Sequence, residues 1–222
     1  MHIEFSHVYK TYKDFKDATA LENVSFCIES EHRMIAIQGH NGAGKSTLLN
    51  LLAALDSPDS GRILVGEQDL TQLSRNALAN YRLHEIGIVF QFFNLFPSRT
   101  IEENIALPGY LADRNRKALK KDVEKLAEEV EITHILKKYP HEVSGGQMQR
   151  AAIARALINH PKMLLADEPT GNLDTQSAMK IYDLLHRLAH EENVTIIAVT
   201  HDERMVKFAE KIIRMENGKV SI

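Results

Sequence analysis

A chain of 222 residues can bury one large core or two closely joined subdomains. Its 27 Lys and Arg against 30 Asp and Glu leave a formal charge of −3 with no basic stripe, which argues against a nucleic-acid partner. The single cysteine, Cys27, rules out an intrachain disulfide, and no stretch reaches the roughly 18 to 20 apolar residues of a membrane span.

In chain order, the N-terminus lacks the charged-then-apolar build of a secretion signal. The chain is therefore expected to be soluble, with any membrane role coming through a partner. Ile3 and Phe5 leading to Val8, then Val24, Phe26 and Ile28, alternate apolar with polar residues. That period predicts two half-buried antiparallel strands. Cys27 falls on the opposite parity and reads as a small strand residue rather than a reactive thiol. Met34-Ile35-Ala36-Ile37 is continuously apolar, as are Met163-Leu164-Leu165-Ala166 and Thr195-Ile196-Ile197-Ala198-Val199 later on. Such runs suit strands of a parallel sheet covered on both faces.

The leucines of 45–55 predict a helix after the first of these runs. From about 92 to 143 strand character is scarce, and Leu119, Val123, Leu126 and Val130 mark one face of a charged amphipathic helix. Ile181, Leu184, Leu185 and Leu188 predict another helix over 174–189, and Asn217-Gly218 predicts a tight hairpin near the end. Strands alternating with helices give a three-layer α/β core. The helical stretch reads as an insertion within a single domain of residues 1–222, with 1–91 and 144–222 forming the core and about 92–143 the helical subdomain.

Gly39-His40-Asn41-Gly42-Ala43-Gly44-Lys45-Ser46-Thr47 fits the phosphate-loop (Walker A) pattern between a buried strand and a helix. Its backbone N–H groups and the helix N-terminus suit phosphate oxygens. Lys45 is placed to reach the β- and γ-phosphates of ATP, and Ser46 to ligate Mg2+. Asp167 and Glu168 end the second buried run, where Asp167 can hold Mg2+ through water and Glu168 can act as general base. Ser144-Gly145-Gly146-Gln147 ahead of a strong helix is a second anion-binding helix terminus.

With both loops in one chain, the sequence resembles the nucleotide-binding subunits of ATP-binding-cassette (ABC) systems over nearly its whole length. Gln91 matches the family's Q-loop, and the resemblance counts it among the catalytic and metal-ligating residues. Gly171-Asn172-Leu173-Asp174 matches the D-loop, His201 the switch histidine, and Tyr12 the aromatic residue that stacks on adenine, with Tyr9 and Phe15 as close neighbours. The resemblance implies a P-loop NTPase core of the ABC ATPase type with an N-terminal antiparallel β subdomain and an inserted α-helical subdomain. It further implies a homodimer with ATP at the interface, each nucleotide held by the phosphate loop of one protomer and by Ser144 to Gln147 of the other. Val143 stands where the family most often has leucine.

The segments 90–97, 101–108 and 166–174 look like the group of lipoprotein-release, macrolide-export, peptide-resistance and cell-division ATPases (LolD, MacB, Bce and FtsE types). The Gly39-His40-Asn41-Gly42-Ala43 form differs from that group's usual serines. The resemblance implies an integral membrane permease-type partner that docks near Phe92, Phe93 and Phe96, and a cytoplasmic, peripheral location. Different rings can also cement the subdomain to the core. The same machinery would serve export or extraction, or a cell-division or drug-sensing module that transports nothing. A DNA-repair or chromosome-organising relative would need a long coiled coil between Ser46 and Ser144, and no sustained heptads lie there.

Overall fold

The computed structural model describes residues 1–12 and 18–221. Phe15 lies outside them. Strands β1 (Ile3–Tyr12) and β2 (Ala18–Ile28) pair antiparallel as their alternation predicts, with Phe5 opposite Phe26 and the two rings stacked at 4.7 Å. β3 (Met34–Gly39) runs into the phosphate loop, and α1 (Lys45–Leu52) follows. This helix is shorter than the leucine pattern suggests. Ala54 turns the chain at φ 52°, Leu55 N bonds back to Asn50 O, and Leu55 is left half-exposed.

β4 (Ser60–Val65), β5 (Gln68–Asp69) and α2 (Arg75–His84) come next. Their sequence pattern is faint because β4 turns only Ile63 and Val65 inward and α2 buries only Tyr81. β6 (Ile86–Val89), α3 (Ile101–Leu111), α4 (Arg116–Glu129), α5 (Gly145–Leu157), β7 (Met163–Asp167) and α6 (Thr175–Glu191) follow. β8 (Thr195–Thr200), α7 (Glu203–Val206), β9 (Lys211–Glu216) and β10 (Lys219–Ser221) complete the described chain.

These elements form two compact units, Met1–Arg82 with Thr195–Ile222, and Leu83–Val194. In the first, an antiparallel sheet has the order β2-β1-β4-β5. Beside it in the same unit, β3 pairs in parallel with both β8 and β9, and β10 closes antiparallel onto β9. Met34 to Ile37 and Ile196 to Val199 are all buried, as continuous apolar runs covered on both faces require. The predicted hairpin joins β9 and β10, with Asn217 at φ 48° and Gly218 at φ 75°.

In the second unit, β6 and β7 pair in parallel, and α5 packs on β6 while also touching α3, α4 and α6. Ala151 to Ala154 of α5 are fully buried. The amphipathic stripe of α4 points inward through Leu119, Val123 and Leu126, and Val130 just beyond it is buried too. α4, at 14 residues, is the longest described helix between α1 and α5, so no coiled coil is inserted there. The chain is thus α/β, with parallel strands under helices, an antiparallel N-terminal sheet and an all-helical stretch in α3 and α4. No described helix is long and apolar enough to cross a membrane.

Candidate functional site

The phosphate loop leaves β3 and is shaped by contacts within the first unit. Gly44 sits at φ 100° as the residue that caps α1, and a Cβ there would lie 2.3 Å from Ala20 O. Only glycine fits both the left-handed backbone and the close approach. No side chain caps α1 and its first turn holds no acid, so its leading N–H groups and the positive end of its dipole are available to an anion.

Lys45 strengthens this reading. It is buried, 6% exposed, and its Nζ donates to His40 O at 2.9 Å. No carboxylate pairs with it among the described residues. An ammonium has three donors, and a buried cation with only one carbonyl is poorly compensated unless an anionic ligand joins it. The loop therefore fits a polyphosphate. Ser46, in the first turn of α1, is exposed beside it, and Thr47 follows half-buried with Ala43 buried below. His40 and His201 line one cleft of about 390 Å³ with Gln38, Gly39 and Arg214. Asn41 and Gly42 are exposed at the loop's tip.

Tyr12 is held over this unit by its hydroxyl, which donates to Asp56 Oδ2 at 2.9 Å and also bonds Thr47. Lys10 Nζ salt-bridges Asp56 Oδ1 at 2.7 Å and stands 5.2 Å from the centre of the Tyr12 ring. The phosphate loop and the candidate adenine platform are thereby linked through Thr47. Burial pushes the Tyr12 phenol above its ordinary value.

In the second unit β7 delivers Asp167 and Glu168, both half-buried. Glu168 adopts φ 45°, a left-handed conformation that costs a non-glycine residue of order 1–2 kcal/mol and collects at functional sites. Gln91, two residues past β6, donates from Nε2 to Glu168 Oε2 at 3.3 Å. Asn172 Nδ2 donates to Gln91 O at 2.8 Å, so the Gly171-Asn172-Leu173-Asp174 loop fixes the Gln91 main chain. Gln91 and Glu168, read separately from the sequence, are thus brought into direct contact. Among the described residues no three His, Cys, Asp or Glu gather as a metal cage. Mg2+ takes few protein ligands beside phosphates and water, so Ser46, Asp167 and Gln91 suit it by donor type.

Ser144, Gly145, Gly146 and Gln147 start α5 as a capping box. Ser144 Oγ accepts from Gln147 N at 3.3 Å, and Gln147 Oε1 accepts from Ser144 N at 3.0 Å. Ser144, Gly146 and Gln147 line a cleft of about 220 Å³ with Arg150, Ser177 and Lys180. Asp174 caps α6: it accepts from Ser177 N at 3.0 Å and Ser177 Oγ at 2.6 Å. Those bonds, the hydroxyl's first, hold its carboxyl below the ordinary value.

Three supporting residues escaped the sequence reading. Asp56 carries no local signal, because its partners Lys10 and Tyr12 lie over forty positions away. Buried Asn104 ties the loop before α3 together. It accepts from Phe96 N and donates to Phe96, Arg99 and Thr100 carbonyls. Arg155 looks like one charge in an alanine-rich helix, yet it is 9% exposed. Of the three candidate docking rings, Phe92 and Phe96 are exposed and Phe93 is half-buried.

A glycine loop between a buried strand and an uncapped helix, with carboxylates ending a second buried strand, defines a phosphate-loop α/β nucleotide-binding protein. Known proteins narrow that class. The ABC transporter family profile matches residues 21–171. The ABC transporter ATP-binding protein YxdL of Bacillus subtilis is 41% identical, covering 98% of this chain and 84% of its own. The lipoprotein-releasing system ATP-binding protein LolD of Shewanella oneidensis is 38% identical over 99% of this chain and 96% of its own. The dimeric structure of MJ0796, a bacterial ABC transporter cassette, superimposes with a TM-score of 0.91 at 37% identity, covering 99% of this chain and 97% of that one. The same cassette in a post-hydrolysis state bound to ADP and Pi gives a TM-score of 0.89 at 36% identity. The chain belongs to the ABC transporter family, in its LolD/MacB-like group, and is an ATP-binding ABC-type ATPase.

Proposed function

We propose that this ATPase works as a homodimer that closes on two ATP molecules and thereby drives an integral membrane permease-type subunit. Each ATP lies at the interface, between residues 39–47 of one protomer and Ser144, Gly145, Gly146 and Gln147 of the other. The observation that carries this reading is the buried Lys45 beside an uncapped α1, a cationic pocket short of an anion. The relatives' names, as ATP-binding proteins of transporter and lipoprotein-releasing systems, support the membrane partner and a peripheral place on the inner face of the membrane.

Within the site, Lys45 and the loop amides take the β- and γ-phosphates, and Tyr12 offers its ring to adenine. Ser46, Asp167 and Gln91 would hold Mg2+, which would supply positive charge against that developing on the phosphates. Glu168 draws a proton from the attacking water as its oxygen bonds to the γ-phosphorus and ADP departs. Gln91 and His201 orient that water and the γ-phosphate. Asp174 holds the loop 171–174 at the interface. Residues about 92–143 act as a helical subdomain inserted into one cassette, and exposed Phe92 and Phe96 offer apolar rings to the permease.

The test is Glu168→Gln. Turnover is expected to fall by two to four orders of magnitude while ATP binding persists, the range usual for loss of a general base. A dimer trapped on ATP is expected in gel filtration. Near-normal turnover in this variant would remove Glu168 from the role.

A further inference from the structure

The structure assigns Arg155 as a positioning residue for Gln91, acting through the two backbone carbonyls that follow it; this rests on the reading of Gln91 as part of the hydrolytic site. Arg155 stands in the last turns of α5, roughly 16 Å along the helix from Ser144 at 1.5 Å per residue. It is nine-tenths buried, and burial lowers its guanidinium pKa. A buried charge normally finds a carboxylate. Arg155 has none among the described residues. Its Nη2 donates to Phe93 O at 2.7 Å and its Nη1 to Asn94 O.

The two acceptors are unusual. Phe93 and Asn94 are consecutive residues in the left-handed region, at φ 60° and 49°. A bulky aromatic residue does not hold that conformation unaided. The tight turn aims adjacent carbonyls in one direction, and the planar guanidinium fork matches that pair as a lysine cannot. Beyond the turn, Asn104 secures Phe96, while before it Asn172 and Glu168 hold Gln91. The segment from Gln91 to Phe96 alternates half-buried and exposed residues, yet side chains from elsewhere in the unit tie it down at three places. Arg155 is the anchor that belongs to the helix headed by Ser144. The clamp therefore keys Gln91 and the exposed Phe92 ring to the same rigid helix that Ser144 caps.

Arg155 donates to two carbonyls but meets no carboxylate among the described residues, and a methionine of similar length would fill its space while holding neither carbonyl. The experiment compares full-length wild type, Arg155→Met, Arg155→Lys, Gln91→Ala and the Arg155→Met/Gln91→Ala double variant. Steady-state ATPase rates, fluorescent-ATP titration and amide hydrogen exchange are measured on each. Arg155→Met is expected to lower kcat about tenfold with nucleotide affinity within twofold of wild type. Exchange at residues 92–96 is expected to rise while the amides of α5 stay protected. The double variant is expected to be no slower than Gln91→Ala alone, and Arg155→Lys, able to hold one carbonyl, to recover part of the rate.

Losses that multiply in the double variant would overturn the proposal, because Arg155 would then act independently of Gln91. Unchanged exchange at 92–96 in Arg155→Met would overturn it as well. If Arg155→Met does not fold, Arg155→Gln completes the same cycle. Failure of the underlying reading looks different: wild type would not hydrolyse ATP, or Gln91→Ala would be fully active, whereas the exchange data report on the clamp in either case.

Discussion

The chain holds two glycine-rich helix starts that differ in how they are finished. At α1, Gly44 leaves the terminus without a side-chain cap, and a buried lysine with one hydrogen bond lies beside it. At α5, Ser144 and Gln147 satisfy one another's main chain in a capping box. The first terminus is incomplete without an anion. The second is stable alone and keeps only the Ser144 hydroxyl proton and the glycine amides for a ligand arriving from outside. On the proposed reading, the first would hold nucleotide within its own protomer and the second would meet a nucleotide held by the partner protomer.

The sharpest way to break this contrast is to add one methyl group to each. Gly44→Ala would place a Cβ 2.3 Å from Ala20 O in a left-handed backbone, so nucleotide binding is expected to fall by more than a hundredfold. Gly145→Ala meets nothing closer than 3.4 Å, at Leu173 Cδ2, in ordinary helical backbone. Its protomer is expected to fold normally and bind ATP as wild type does while turnover declines. Equal effects of the two substitutions on the affinity of isolated protomers, measured by titration, would remove the distinction.

Mixed dimers sharpen it further. Pairing a Lys45→Ala protomer with a Ser144→Ala protomer leaves one composite site intact and one doubly defective. Activity is expected at no more than half of wild type. Full activity would show that the two termini do not share a nucleotide.

Ser144→Ala alone tests the cap. Loss of an N-cap side chain costs about 1 kcal/mol, which for a chain of this size lowers Tm by about 2–4 °C. Scanning calorimetry would reveal it. An unchanged Tm would mean the capping box contributes nothing and the serine serves only ligand contact.

How legible was this in the sequence? Phosphate-loop spacing and the continuous apolar strands are short-range patterns, and they gave the core, both termini and the carboxylates of β7. What stayed hidden is long-range. No periodicity tells that Asn172 meets the Gln91 carbonyl, or that Asp56 meets Tyr12. The capping box was in plain view as Ser-x-x-Gln, but the glycines between drew attention to anions rather than to the helix's own amides. Faint patterns at β4 and α2 follow from their exposure, since a strand with two inward residues has almost no alternation to read.

The smallest effect concerns the support beneath the bare terminus. Asp56 receives Lys10 and Tyr12 on its two oxygens. Burial alone would raise its carboxyl pKa, yet the Lys10 bond, the Ser57 N–H and the Tyr12 hydroxyl together hold it below the ordinary 3.8. A carboxyl lowered by folding stabilises the folded state at all pH above its unfolded value and loses that contribution as pH falls through the lowered one. Asp56→Asn is therefore expected to melt slightly below wild type at pH 7, with the gap closing as the solution is acidified past 3.8. Partial exposure keeps the effect small, on the order of 1 kcal/mol or less. A gap that persists unchanged into acid would mean that the charge on Asp56 is immaterial and that only its shape supports Tyr12. The α1 terminus would then depend on its own glycine and lysine, with no electrostatic help from behind.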